Sequence, residues 1–92
     1  YAGMRECVLE QNYPNPFNQS TRIAFFLPEA QHVNLDIFNI YGKKVAGHID
    51  KRLSQGRHEV LFNGSHFPEG TYYYRLQAGE FTDTRKLLLI KD

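Results

Sequence analysis

The chain has 92 residues, of which 41% are hydrophobic and 14% aromatic, and its formal net charge is +1. This length fits one domain with a packed core, and so small a charge gives no reason to expect a nucleic-acid partner. No apolar stretch approaches the roughly 20 residues that a helix needs to cross a bilayer.

The first residues follow no strand or helix pattern, and we expect residues 1–8 to be the end of a linker. No signal peptide is visible, and the chain starts with Tyr1 rather than Met, so we expect it to be a piece of a longer protein. The single Cys7 cannot form an internal disulfide. Because nothing nearby supplies a base, we expect it to be a linker residue or a small buried hydrophobe rather than a nucleophile.

The most distinctive segment is Gln11–Asn18, which reads Gln-Asn-Tyr-Pro-Asn-Pro-Phe-Asn. Its prolines, at positions 14 and 16, fix φ at about −65° and push the residue before each toward extended geometry. We therefore expect a stiff, extended segment whose proline edge cannot pair fully with another strand. Tyr13 and Phe17 are expected to anchor it on the domain. The residues whose amides can cap turns are Asn12, Asn15 and Asn18.

From Arg22 onward, polar and apolar residues alternate, which predicts short β-strands with one buried side. The predicted inward residues are Ile23, Phe25, Leu27, Val33, Leu35, Ile37, His58, Val60, Phe62, Tyr72, Tyr74 and Leu76. The strand that carries Val45 is expected to end at about His48 or Ile49. The last predicted strand lies within Phe81–Ile90.

Turn-forming residues separate these strands. They are Pro28, Tyr41-Gly42-Lys43, Asn63-Gly64, Pro68-Glu69-Gly70 and Gly79-Glu80. The pair Asn63-Gly64 is a strong turn signal because both residues tolerate positive φ. Six or seven short strands at spacings of about 8–12 residues predict an all-β fold, an antiparallel β-sandwich.

The polar residues give no pattern of a catalytic or metal site. The histidines lack the spacing of a zinc site, since they lie scattered at His32, His48, His58 and His66. The acidic residues are mostly isolated, without the spacing of a calcium loop. We therefore expect no enzymatic activity and no cofactor. His58 takes an inward position on its strand, and we expect it to be structural.

Three aromatic residues take outward positions on their strands, namely Phe26, Phe38 and Tyr73. If these strands are neighbours, the rings form an exposed cluster on which a sugar could stack. The alternative is that the linker or the Tyr13–Phe17 segment covers one outer face of the sandwich.

The basic pair Arg85-Lys86 leads into an apolar run, Leu87–Ile90. One interpretation is a docking element that pairs with a partner by strand addition. The other is that the charges guard an aggregation-prone run. The run fits either a strand covered on both faces or a terminal strand whose outer face meets a partner.

Taken together, these residues resemble the type A C-terminal sorting domain of cargo proteins of the type IX secretion system. The resemblance covers about residues 9–91 and opens with Leu9 and Gln11–Asn18. The later matching residues are Thr21, Ile23, Phe25, Leu27, Pro28, Val33, Leu35, Ile37, Phe38, Asn39, Gly42, Lys43, Val45, Gly56, His58, Val60, Phe62, Gly70, Tyr72, Tyr74, Arg75, Leu76, Lys86, Leu87, Leu88 and Leu89. The chain departs from the family pattern where Gln19 replaces a usual Pro, Phe38 a usual Tyr and Phe62 a usual Trp.

The resemblance implies an immunoglobulin-like β-sandwich of about seven strands over residues 9–92, which serves as a transport address. It implies a parent cargo protein, N-terminal to this chain, that reaches the periplasm by a separate signal. The outer-membrane translocon then recognises the domain. A sortase-like cysteine peptidase cuts upstream of it, and the cargo is attached to the cell surface or released.

The resemblance also assigns roles to residues of this sequence. Those tied to translocon recognition are Gly70, Tyr72, Lys86, Leu87, Leu88, Leu89 and Lys91. Those of the structural motifs are Asn12, Tyr13, Pro14, Asn15, Pro16, Phe17, Asn18 and Gly42. A basic residue close to the end fits the family, and Asp92 lies one residue beyond its usual end.

Two other functions fit the same residues. The outward aromatic residues favour a non-catalytic module that binds glycan or the cell surface within a larger secreted enzyme. The middle and late patterns also occur in structural immunoglobulin-like assembly domains, such as the one in the flagellar hook-capping protein.

Overall fold

The computed structural model describes residues 5–91, so the expectations for Tyr1 and Asp92 lie outside the described residues. This part of the chain forms two antiparallel sheets and contains no helix that could span a membrane. The strands are β1 (Val8–Leu9), β2 (Ser20–Leu27), β3 (Gln31–Phe38), β4 (Lys44–Leu53), β5 (Gly56–Asn63), β6 (Gly70–Ala78) and β7 (Phe81–Leu89). The order is β1-β2-β5 in one sheet and β4-β3-β6-β7 in the other. The predicted all-β sandwich of about seven strands is confirmed.

The inward residues of the two sheets form one hydrophobic cluster. The alternation on β2, β3 and β6 predicts this core correctly, because every second side chain of a strand points to the same face. The inward residues of these strands that are fully buried are Ile23, Phe25, Leu27, Val33, Leu35, Ile37, Tyr74 and Leu76. Full burial of each large apolar side chain stabilises the fold by about 1.5–3 kcal/mol.

Strand β4 is longer than predicted, since it continues past Ile49 to Leu53. Two register shifts interrupt its pairing with β3, one between Leu35 and Asp36 and one beyond Ile37. Such bulges break the alternation of side chains. The predicted end near His48 or Ile49 is therefore wrong, because the pattern of β4 cannot be followed by period two alone.

Three of the predicted turns contain a glycine with positive φ, namely Gly42, Gly70 and Gly79. Gly42 has φ 80° and donates its N–H to the Asn39 carbonyl at 3.0 Å. The Asn39 side-chain oxygen accepts from the N–H groups of Tyr41 and Lys43, which closes the β3–β4 turn. Gly79, with φ 60°, forms the predicted hairpin between β6 and β7. Glycine adopts these conformations without steric cost.

The turn at Asn63-Gly64 has a different physical basis from the predicted one. Neither residue has positive φ. Gly64 is buried, and its N–H donates to the Gln19 carbonyl at 2.8 Å. A Cβ on this glycine would lie 3.0 Å from the Phe17 ring. Gly64 is required here for close packing rather than for backbone freedom.

We expect the substitution Gly64→Ala to lower the free energy of unfolding by about 1–3 kcal/mol, because the added methyl group meets Phe17 and also Leu89 at 3.3 Å. Urea denaturation measures this loss. Gly47→Ala is the matched control, since the nearest atom there belongs to the flexible Lys44 side chain, and it should leave stability unchanged or slightly higher. Equal stability of Gly64→Ala and the parent chain would contradict the packing of Phe17.

Candidate recognition site at the C-terminal strand

The opening motif, Gln11–Asn18, lies along the outer edge of β7. The Phe17 N–H donates to the Leu88 carbonyl, and the Ile90 N–H donates to the Phe17 carbonyl, both at 2.9 Å. The Asn15 side-chain oxygen accepts from the Leu88 N–H at 2.9 Å. Phe17 thus pairs with the end of β7 as a short parallel bridge.

Two further hydrogen bonds connect the N-terminal part of the chain to β7, nearer the start of that strand. The Gln11 side-chain amide donates to the Lys86 carbonyl at 2.7 Å. The Arg85 guanidinium donates to the Leu9 carbonyl at 2.8 Å. From Lys86 to Ile90 the outer backbone edge therefore has its partners within the domain, and it is closed to strand addition in the folded state.

The motif is bent, not extended as predicted. At one end Tyr13 pairs with Arg22 of β2, and at the other Phe17 pairs with Leu89 of β7, with a bend over residues 14–16 between them. The Pro14 carbonyl accepts from the Thr21 hydroxyl at 2.8 Å, which holds the bend against β2. The segment therefore joins the two sheets at this side of the sandwich.

One of the two predicted anchors of the motif is wrong. Phe17 is 2% exposed and packs edge-on against Phe62, with ring centroids 6.1 Å apart. Tyr13, however, is 80% exposed. Its place as an anchor is taken by Asn12, which is 2% exposed and makes its contacts through hydrogen bonds rather than apolar surface.

Asn12 and Tyr74 form the buried polar centre of the motif. The Asn12 N–H donates to the Tyr74 hydroxyl at 2.7 Å, and that hydroxyl donates to the Glu10 carbonyl at 2.6 Å. The Asn12 side-chain amide donates to the Thr21 hydroxyl at 3.0 Å. Burial raises the pKa of Tyr74 to about 12, because the phenolate would lose its solvation. Sequence reasoning missed this junction.

The residues assigned to recognition divide into a buried and an accessible group. Tyr72, Leu87 and Leu89 belong to the core, and the Tyr72 hydroxyl donates to the Pro68 carbonyl at 2.7 Å. Gly70, at φ 147°, pairs with Leu89 across β6 and β7. A residue with a side chain is strained at that φ.

The accessible residues include Gly70, Lys86 and Lys91, while Leu88 is half-buried. Two hydrogen bonds fix Lys91 to the segment before β6. Its N–H donates to the Glu69 carboxylate at 3.0 Å, and its ammonium donates to the Ser65 carbonyl at 3.2 Å.

An open apolar surface remains on the outer face at the end of β7. Leu88 pairs with Thr71 of β6, and its side chain shares the outer face with that of Ile90, which is 48% exposed. With Gly70 beside them, these residues border an open groove of about 480 Å³. We call Gly70, Thr71, Leu88 and Ile90 the C-terminal patch.

The three outward aromatic residues do not form one cluster. Phe38 and Tyr73 are cross-strand partners on β3 and β6. Phe26 lies in the other sheet and is 5% exposed. Arg57 pairs with Phe26 and reaches across β2 to the Glu10 carboxylate at 3.6 Å, so its side chain passes over this position. The alternative of one exposed cluster of all three rings is therefore wrong, because β2 lies in the other sheet from β3 and β6.

Two titratable residues outside this site, His58 and Cys7, show no sign of a catalytic role. The His58 ring stacks on Phe25 with centroids 5.5 Å apart and hydrogen-bonds to the Ser54 carbonyl at 2.7 Å, as expected for a structural histidine. Burial raises the pKa of the Cys7 thiol, which disfavours the reactive thiolate. Within residues 5–91 no group of three or more His, Cys, Asp or Glu side chains could hold a metal ion.

The family comparison covers most of the part of the chain that the structure describes. A family model described as "Secretion system C-terminal sorting domain" matches residues 11–91, from the first residue of the opening motif to the end of the described chain. No curated protein matches the chain.

We expect Tyr74→Phe to lower the free energy of unfolding by about 1–3 kcal/mol, because it leaves the buried Asn12 N–H and the Glu10 carbonyl without their partner. Tyr72→Phe removes one hydrogen bond, to Pro68, and is the control, with a loss of about 0.5–1.5 kcal/mol. Urea denaturation at neutral pH compares the two variants, and equal losses would contradict the central role of Tyr74.

The same junction predicts a loss of stability in alkali. The pKa of Tyr74 is raised to about 12 in the folded protein, above about 10 in the unfolded chain. Its contribution is fully present below about pH 10 and is lost as the pH rises through about 12, since the unfolded chain releases this proton first. Denaturation at several pH values should show a shallower alkaline decline in Tyr74→Phe. A decline of the same slope in both proteins would contradict this assignment.

Proposed function

Because the chain belongs to the family of secretion system C-terminal sorting domains, we propose that its C-terminal patch is the surface by which the outer-membrane translocon recognises it. Family membership itself makes the domain a C-terminal sorting signal of the type IX secretion system. As such it is the tail of a cargo protein and directs that protein toward the cell surface or the extracellular space.

One observation carries the choice of surface. The backbone edge of β7 is occupied by the opening motif, while the side chains of Leu88 and Ile90 remain accessible on the outer face. A partner can therefore reach the apolar residues of the C-terminal strand without unfolding the domain. An accessible apolar groove beside polar residues is a typical interaction surface.

The other residues assigned to recognition support this surface in different ways. Gly70 borders the groove, and a Cβ at this position would lie in open space. The exposed Lys86 follows on the same face of β7 and supplies a charged rim. The buried residues that hold the patch in place are Tyr72, Leu87 and Leu89, and Lys91 fixes the end of the chain on the neighbouring turn.

The proposed order of export has three steps. The cargo reaches the periplasm through its own N-terminal signal, the translocon engages the patch, and a sortase-like cysteine peptidase cuts upstream of the domain. Sorting-signal domains are generally non-catalytic, and we assign no catalytic role to this one. The pairing of the chain with β2 from β1 onward supports a cut on the N-terminal side of the motif, because Val8, Leu9 and Glu10 are already hydrogen-bonded into the fold.

Secretion of a periplasmic reporter fused to residues 1–92 tests the patch. In a host that carries the system, we expect Ile90→Asp to reduce secretion by about tenfold, because the charge must be desolvated in an apolar contact. Leu61→Asp is the matched control, since Leu61 is 57% exposed on β5, away from the patch. Both positions are exposed, so stability should change by no more than about 0.5 kcal/mol.

Unchanged secretion of Ile90→Asp, or an equal loss with Leu61→Asp, would overturn the proposed surface. A deletion of Lys86–Asp92 is less informative, because it also removes Leu87 and Leu89 from the core. The point substitution separates loss of recognition from loss of folding.

A further inference from the structure

The outer face of the four-stranded sheet carries a second groove, near the β3–β4 turn. Phe38 of β3 pairs with Tyr73 of β6, and the Arg75 guanidinium lies over the Phe38 ring, 4.6 Å from its centroid. The groove has a volume of about 430 Å³, within the range of about 300–1,000 Å³ of small-ligand sites. Its principal lining residues are Phe38, Asn39, Ile40, Tyr73, Arg75 and Thr84.

The polar groups that line this groove have unused hydrogen-bonding capacity. The Asn39 side-chain oxygen is engaged by the turn, but its NH₂ group has no partner among residues 5–91. The same holds for the hydroxyls of Tyr73 and Thr84. The Nε–H of Arg75 also lacks an acceptor, but it is buried and out of reach of a ligand. The other polar groups line one groove beside the Phe38 and Tyr73 rings, and small-ligand sites likewise combine an aromatic lining with a few polar groups.

The groove also carries unpaired positive charge. In the part of the chain that the structure describes, Arg75 forms no ion pair. The carboxylate opposite Arg75 on this face, that of Asp36, is held by Lys44 at 3.1 Å. An anionic ligand would therefore meet one cation that is not paired with a protein carboxylate.

We propose that this groove binds an acidic saccharide, a sugar unit that carries a carboxylate or phosphate group. The Tyr73 ring, which is 36% exposed, offers a flat surface for the C–H face of the sugar, and Arg75 holds the acidic group. An acidic peptide fits less well, because β3 and β6 are paired on both sides and offer no free backbone edge. This binding is separate from translocon recognition at the C-terminal patch.

The test is a titration of the ¹⁵N-labelled 92-residue chain with digalacturonate, followed by amide NMR shifts. We expect saturable shifts centred on Tyr73, Arg75 and Thr84, and weaker binding of the neutral disaccharide galactobiose. Tyr73→Ala and Arg75→Gln should each weaken digalacturonate binding by about tenfold. The matched control for the ring is Tyr13→Ala, at the exposed tyrosine of the opening motif, and it should bind like the parent chain.

The amide spectrum of each variant also reports whether it is folded, and Tyr73→Ala alone decides the question if Arg75→Gln does not fold. Three results would overturn the proposal. They are no saturable shift with digalacturonate, unchanged binding by folded Tyr73→Ala, and tighter binding of an oligoglutamate peptide than of the disaccharide at the same residues.

Discussion

The hydrogen bonds of the Tyr74 hydroxyl hold the opening motif on the sandwich, and the arrangement of the C-terminal strand depends on them. This hydroxyl links the Asn12 N–H of the motif to the carbonyl of Glu10, the residue just before the motif, at a point with no access to water. Once the motif is fixed there, its second half can turn and place Phe17 beside β7. The motif is thus the element that joins the two sheets.

This arrangement closes the backbone edge of the terminal strand and leaves two of its apolar side chains accessible. An apolar strand at the edge of a sheet invites uncontrolled pairing with other chains. Here the edge from Lys86 to Ile90 is closed by the motif, while Leu88 and Ile90 stay accessible on the face. Of the two sequence-based interpretations of this strand, docking by strand addition is excluded in the folded state, because the motif closes the edge. The outer face of the strand, by contrast, is accessible to a partner.

The alternation of residues predicts the strands, most of the core and the apolar character of Leu88 and Ile90, because these are local consequences of the two-residue period. The two-residue period does not show which long side chains lie across the outer face of a sheet. The burial of Phe26 beneath Arg57 could therefore not be predicted from it. The period also does not show which buried polar groups form hydrogen bonds with each other. The contact between Asn12 and Tyr74 joins residues 62 positions apart, and no local pattern encodes it.

Hydrogen exchange at the outer edge of β7 tests the central claim most directly. The amides of Leu88 and Ile90 should exchange slowly, because the motif accepts from both. The amide of Thr82 faces the same edge by the alternation of the ladder, beyond the reach of the motif, and should exchange fast. In Tyr74→Phe, which removes the hydrogen bonds to the Asn12 N–H and the Glu10 carbonyl, Leu88 and Ile90 should approach the rate of Thr82. Fast exchange of Leu88 and Ile90 in the parent chain would contradict the account.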